Sequence, residues 1–209
     1  MATAVLEEQT VTEPEITQPE TSDGVTPYHW TVERFYRAAQ ANVFDDPGRL
    51  ELIHGRIIEK MPTGPLHTTV SYDIAERLRL AAGAEFLVRE ERAIHLAFDG
   101  EPIPDIALVR GKSPDYRKNH PAPENVALLV EVSVSSIEYD LGEKALMYAK
   151  AGIKDYWVVI PEAQEIVVHR LPSAEGYQDV ARLAGVDTLS PLAMPSTAWT
   201  VNALLGREE

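Results

Sequence analysis

The 209-residue chain contains no cysteine, which excludes disulfides and thiolate-bound metals. Any metal would be held by Asp, Glu, His or carbonyl oxygen, a donor set that suits hard ions such as magnesium or manganese. No stretch approaches about 18 consecutive apolar residues, so a membrane span is not expected. The first residues lack a basic segment followed by an apolar one, so no secretory leader is expected, and the compartment is read as cytoplasmic. Positive charge is scarce too: 19 Lys and Arg stand against 33 Asp and Glu, for a net charge of −14. Residues 1–24 hold six acids (Glu7, Glu8, Glu13, Glu15, Glu20, Asp23) and neither Lys nor Arg, and removing them leaves −8. This balance excludes a protein that coats nucleic acid by charge alone. An enzyme that holds phosphates through metal ions stays open.

The rest of the composition is that of an ordinary globular protein, with 44% hydrophobic and 25% charged residues. Residues 1–26 are rich in Thr, Glu and Pro without apolar periodicity, and are expected to form a disordered acidic tail. Residues 27–209 are expected to form a single domain. A short helix is expected after Thr31, whose hydroxyl can cap it, with Phe35 and Ala38 turned inward. "ELIHGRIIEKM" (51–61) reads as a hairpin around His54-Gly55. In "GPLHTTVSYDIAERLRLAAG", Leu66, Val70, Ile74 and Leu78 recur every four residues, which predicts an amphipathic helix ended by Gly83.

Strands are expected at 85–98, closed by an Asp99-Gly100 turn, and at 103–111, opened by Pro104-Asp105. A third is expected at 126–130, where an aliphatic run reads as buried on both faces. A helix over 140–151, with Gly152 past its end, precedes two strands joined at Pro161. After Leu189 a short strand and a last helix are expected. The order predicts an α/β domain, a mixed β-sheet flanked by helices.

Glu131 follows the aliphatic run 126–130 directly. Leaving even a neutral polar group uncompensated in such a place costs roughly 2–7 kcal/mol. If the Asp105 and Glu131 strands are neighbours, their carboxylates converge, and a proton or a cation must relieve their repulsion. A divalent ion with oxygen ligands would do so. The plainer alternative is that Asp105 caps a turn and Glu131 pairs with a Lys or Arg. Alternation places Ser133 on the same face as Glu131. Asp140, Lys144 and Tyr148 stand four residues apart on the following helix, so Lys144 can lie toward the strand end. It could contact a phosphate or water there, or merely form a surface pair with Asp140 worth about 0.3–0.5 kcal/mol.

His67 opens the long helix, where it can bind phosphate or metal or simply begin the helix. The stretch 110–120, with Arg110, Lys112, Arg117 and Lys118, follows the Asp105 strand and could line a phosphate path or be a solvated loop. Tyr156 and Trp157 read as core.

"YDLGEKALMYAKAGIKDYWVVI" after "VEVS", with "PDIALV" and "ELIHGRIIEKMPTGPLH" upstream, closely resembles the Uma-type family of restriction endonucleases within the PD-(D/E)XK nuclease superfamily. The resemblance runs from about Trp30 to Arg170 and more weakly to Leu205. It implies a restriction-endonuclease-like core and magnesium- or manganese-dependent hydrolysis of DNA phosphodiester bonds. Asp105 matches the Asp of the P-D motif and Glu131 the acid of the (D/E)XK motif, and both would ligate the metal. The usual lysine two residues after that acid is replaced by Ser133, and Lys144 is the candidate substitute. Glu51 matches a recurrent acid that can join the site, and His67 a recurrent position. Two departures stand out. Val134 replaces an Asp common in relatives, and His54 replaces an often acidic turn residue. The first leaves open a catalytically inactive nuclease-fold module that binds a partner. DNA is the expected partner, no membrane is, and a homodimer is left open.

Overall fold

Residues 27–96 and 100–207 are described in the computed structural model of the chain. The segment expected to be a disordered tail, 1–26, lies outside them, as does Asp99 of the expected turn. Helix α1 (Val32–Gln40) starts where Thr31 Oγ1 accepts the Arg34 N–H at 3.3 Å, and it buries Phe35. Strands β1 (Leu50–Ile53) and β2 (Arg56–Glu59) form the expected hairpin. His54 and Gly55 both have positive φ, 49° and 68°, the signature of a two-residue turn whose twist matches the strands. Gly55 is favoured there by its positive φ and because an added Cβ would run into the His29 ring.

Helix α2 (Pro65–Ala82) buries Val70, Ile74 and Leu78, but Leu66 in its first turn is exposed. The next strand, β3 (Phe86–Glu90), is shorter than the run 85–98 promised. With β4 (Ile106–Arg110), β5 (Val126–Val132), β6 (Asp155–Ile160), β7 (Glu165–Ser173) and β8 (Gly176–Ala184) it makes one six-stranded sheet in the order β3-β4-β5-β6-β7-β8. Only β5 and β6 run parallel. Between them the chain crosses over through α3 (Ile137–Tyr139), a π-helical turn (Asp140–Lys144) and α4 (Ala145–Lys150). This helix begins three residues before the expected start. β8 has no counterpart in the sequence reading. It is an edge strand with most side chains exposed, so it shows no apolar alternation, and Asp179 and Arg182 blunt it against further pairing. The short pair β9 (Thr188–Leu189) and β10 (Trp199–Thr200) leads into α5 (Val201–Leu204).

Alternation along β5 divides the core. Leu128, Val130 and Val132 pack with Val70, Ile74 and Leu78 of α2 and with Val201 and Leu204 of α5. On the other face Leu129 packs with Met147 and Tyr148 of α4 and with Tyr156 and Val158. Glu131 shares that second face, which turns its carboxylate toward the crossover helix. Tyr156 and Trp157 are fully buried, as expected. Among the described residues no helix is long and apolar enough to cross a membrane.

Candidate active site at the ends of the central strands

Strands β4 and β5 are antiparallel neighbours with Ile106 opposite Val130. The residue before β4 therefore lies beside the end of β5. Asp105 Oδ2 accepts the Val132 N–H at 2.8 Å, which continues the ladder with a side chain. The two acids meet where the start of β4 lies beside the end of β5, with Asp105 4% and Glu131 2% exposed.

Each carboxylate has its own lysine. Glu131 Oε1 accepts from Lys144 Nζ at 3.0 Å and from the Tyr148 hydroxyl at 2.9 Å. Lys144 also reaches Glu51 Oε1 at 3.3 Å, and its ammonium stands over the Tyr139 ring. Of the two alternatives for Lys144, an exposed pair with Asp140 is not the one found. Lys144 is buried, Asp140 is 4.0 Å away, and Asp140 Oδ2 instead accepts from Ser133 Oγ at 2.6 Å and Ser136 Oγ at 2.5 Å. The four-residue spacing of Asp140, Lys144 and Tyr148 does put all three on the strand side. The π turn lies in this stretch, a widened turn often found at functional sites. Glu51 is brought in by the hairpin, and its Oε1 also accepts the Ile103 N–H at 2.7 Å.

Asp105 is held by Lys60 Nζ at 2.9 Å on Oδ1, while His67 Nε2 stands 3.0 Å from Oδ2. Lys60 was missed by the sequence reading. A signal for it existed: Glu51 pairs with Ile58, and Lys60 lies two residues past Ile58, hence on the Glu51 face of the hairpin.

Two residues expected near the substrate lie elsewhere. Arg110 ends β4, five residues and roughly 16 Å along the strand from Asp105. There its guanidinium contacts Glu85 at 2.5 Å and stacks over Phe86. Lys112 lies beyond it, where its backbone N–H bonds Asp115. An extended strand carries its following loop to the opposite end of the sheet, so closeness in sequence to Asp105 does not bring these residues to the pocket. Ser133 is fully buried with its hydroxyl committed to Asp140, which leaves it nothing to offer a substrate.

The site opens into a pocket of about 370 Å³. Glu51, Lys60, His67, Asp105, Glu131 and Lys144 line its interior, and Val134 and the 61–64 loop border it. Five acids (Glu51, Glu59, Asp105, Glu131 and Asp140) share this space with two lysines. Burial, reinforced by Asp105 and Asp140 and opposed by Lys144, pushes the Glu131 carboxyl up to about 8. For Asp105 burial acts the same way but is outweighed. The His67 hydrogen bond, the Lys60 ammonium and the Val132 N–H hold it well below the usual carboxylate range. Burial works against the Lys144 ammonium, yet Glu131, Glu51 and Asp140 raise it well above an ordinary lysine.

Among the described residues no three Asp, Glu or His side chains are grouped to hold a metal ion by themselves. A hard cation at Asp105 and Glu131 would complete its shell with water and phosphate oxygen, which is how magnesium is usually bound. The oxygen-only donors and the excess of acid over lysine fit such an ion.

A family model named Uma2 and described as "Putative restriction endonuclease" matches residues 32–202. Among solved structures, the chain is similar to "a putative nuclease belonging to DUF820 from Anabaena variabilis ATCC 29413". The TM-score is 0.66 and the identity 18%, over 84% of this chain and 97% of that one. At that identity the likeness is one of fold. No curated protein matches the chain.

Proposed function

The chain belongs to the Uma2 family, and from that premise we propose that it is a metal-dependent endonuclease that hydrolyses DNA phosphodiester bonds in the acid-lined pocket. The observation that carries this reading is the meeting of Asp105, at the start of β4, and Glu131, on the neighbouring β5, in a buried cluster that is acid-rich yet open to a pocket. A magnesium or manganese ion held by these two residues would supply positive charge at the phosphate oxygens and a more acidic water. The chain's own side chains then have distinct tasks. His67 and the Val132 N–H fix the Asp105 carboxylate. Lys144 and Tyr148 fix Glu131, and Lys144 ties Glu51 to it. Lys144 thus assists by positioning the acids from beneath. With a net charge of −14, the protein would gain its hold on a phosphate from the cation and from lysine in the pocket.

One observation favours a second reading, a nuclease-fold module that binds a partner without cleaving. Lysines already compensate both carboxylates, and Val134 stands at the pocket where relatives commonly carry an Asp. Incubation with supercoiled and linear DNA, in magnesium, manganese or chelator, separates the two. Divalent-dependent cleavage by the wild type that is lost in Asp105→Asn and Glu131→Gln supports the nuclease. No cleavage in either metal supports the module.

A further inference from the structure

Two lysines reach the pocket, and they are held in different ways. Lys144 is 4% exposed at its side chain and is surrounded by Glu131, Glu51 and Asp140, with the Tyr139 ring on a further side. Its ammonium has no direction in which to leave without stranding two buried acids. Lys60 is 19% exposed and among the described residues contacts one carboxylate, Asp105 Oδ1, together with the Ile103 carbonyl at 3.1 Å. Its main chain is pinned on both sides by Arg49: the Lys60 N–H donates to Arg49 O at 2.8 Å, and the Lys60 carbonyl accepts from Arg49 Nη2 at 2.7 Å. A fixed backbone with a long, partly exposed side chain aims an ammonium without locking it. The slot two residues after Glu131 offers no rival, because Ser133 there is fully buried and faces Asp140.

We propose that Lys60 is the lysine that meets the substrate: it occupies Asp105 in the free protein and exchanges that carboxylate for a phosphate oxygen when the substrate and its cation enter. The proposal rests on the nuclease reading above and adds to it which lysine makes the contact. Asp105 Oδ1 is the atom at which an entering cation would compete with the ammonium, and Lys60 is the neighbour free to swing into the pocket. An ammonium on a flexible stem suits this exchange, since it can contact either oxygen as a point charge.

The test compares wild type, Lys60→Met, Lys60→Arg and the charge control Lys154→Met, which is exposed at the other end of the sheet. Affinity for a short fluorescent DNA duplex in calcium is measured against salt, and cleavage of the same duplex in magnesium. Lys60→Met is expected to lower the salt slope by about one, the loss of one phosphate contact. Its cleavage rate is expected to fall roughly 10²–10³-fold. Lys60→Arg should keep the slope because it keeps the charge, which also guards against a Met variant that folds poorly. Lys154→Met should match wild type in both. Wild-type slope and rate in Lys60→Met, while wild type cleaves, overturns the assignment of Lys60 alone. A wild type that neither binds nor cleaves the duplex in any divalent metal overturns the nuclease reading and this inference together.

Discussion

Buried carboxylates stand at both ends of the parallel pair β5–β6, and they are satisfied in different ways. Asp155, which starts β6, is fully buried and has both oxygens taken. Trp157 Nε1 and Arg170 Nε donate to Oδ1, each at 3.0 Å, and the Leu192 N–H donates to Oδ2 at 2.8 Å. Arg170 also reaches the Ser190 carbonyl at 2.6 Å, so this cluster ties the C-terminal segment to the sheet. Two of its donors are set by the sheet itself, Trp157 on the same strand and Arg170 directly opposite on β7, and the third is a backbone N–H. At the other end, Asp105 and Glu131 depend on long lysine side chains from a separate hairpin and a crossover helix, and they face open space. A carboxylate whose donors the sheet itself sets in place serves folding. One compensated by a side chain that a ligand can displace, as Asp105 is by Lys60, is equipped for chemistry.

The sharpest way to break this comparison is to neutralise the carboxylates at each end. Asp105→Asn and Glu131→Gln should lower cleavage by about 10³ or more, the several kcal/mol attached to a metal's charge stabilisation, with the fold retained. Asp155→Ala should leave the rate per folded molecule unchanged. If Asp155→Ala abolishes cleavage in protein that is still folded, the division between the two ends is wrong.

Stability should show the reverse pattern. Asp155→Ala leaves the Arg170 guanidinium and two N–H donors without their acceptor, which should cost about 3–5 kcal/mol in urea denaturation. For a chain of this size that is a melting point lower by roughly 10 °C. Lys144→Met should cost a similar amount, because it strands Glu131 and Glu51 in the interior. A loss of only about 0.3–0.5 kcal/mol would return Lys144 to the status of a surface partner.

Magnesium offers a smaller effect of a different kind. At about a hundred times its dissociation constant a ligand stabilises by about 2.7 kcal/mol, so the wild type should melt several degrees higher in saturating magnesium. Glu131→Gln should show little of that rise. Equal shifts in both would place the ion elsewhere. The smallest effect concerns residues 1–24, which offer no apolar face to bury. A chain starting near Val25 should melt within about one degree of the full one by calorimetry.

Much of the site was legible because burial and charge conflict visibly in the sequence. Glu131 after five aliphatic residues and Asp105 before another apolar run both announced an acid at the end of a buried strand. Lys144 was legible through its four-residue spacing from Asp140 and Tyr148. Its environment was not, since an i, i+4 pair looks the same on a solvated face and beneath two carboxylates. Lys60 was passed over because its link to Asp105 spans 45 residues and exists only once the hairpin packs across the strand start. Arg110 and Lys112 show the opposite case, close to Asp105 along the chain and far from it along the strand. β8 escaped because an edge strand exposed on most of its length carries no periodic signal.

By itself, then, the sequence determined the elements whose apolar period or turn chemistry is strong: the His54-Gly55 hairpin, α2, the central strands and the acids that end them. These are local consequences of side-chain alternation, helical spacing and the backbone freedom of glycine. Only the tertiary structure decided which cation faces which acid. That choice depends on strand order, on register and on how deeply each ammonium is buried, and none of these is carried by residues near one another in the chain.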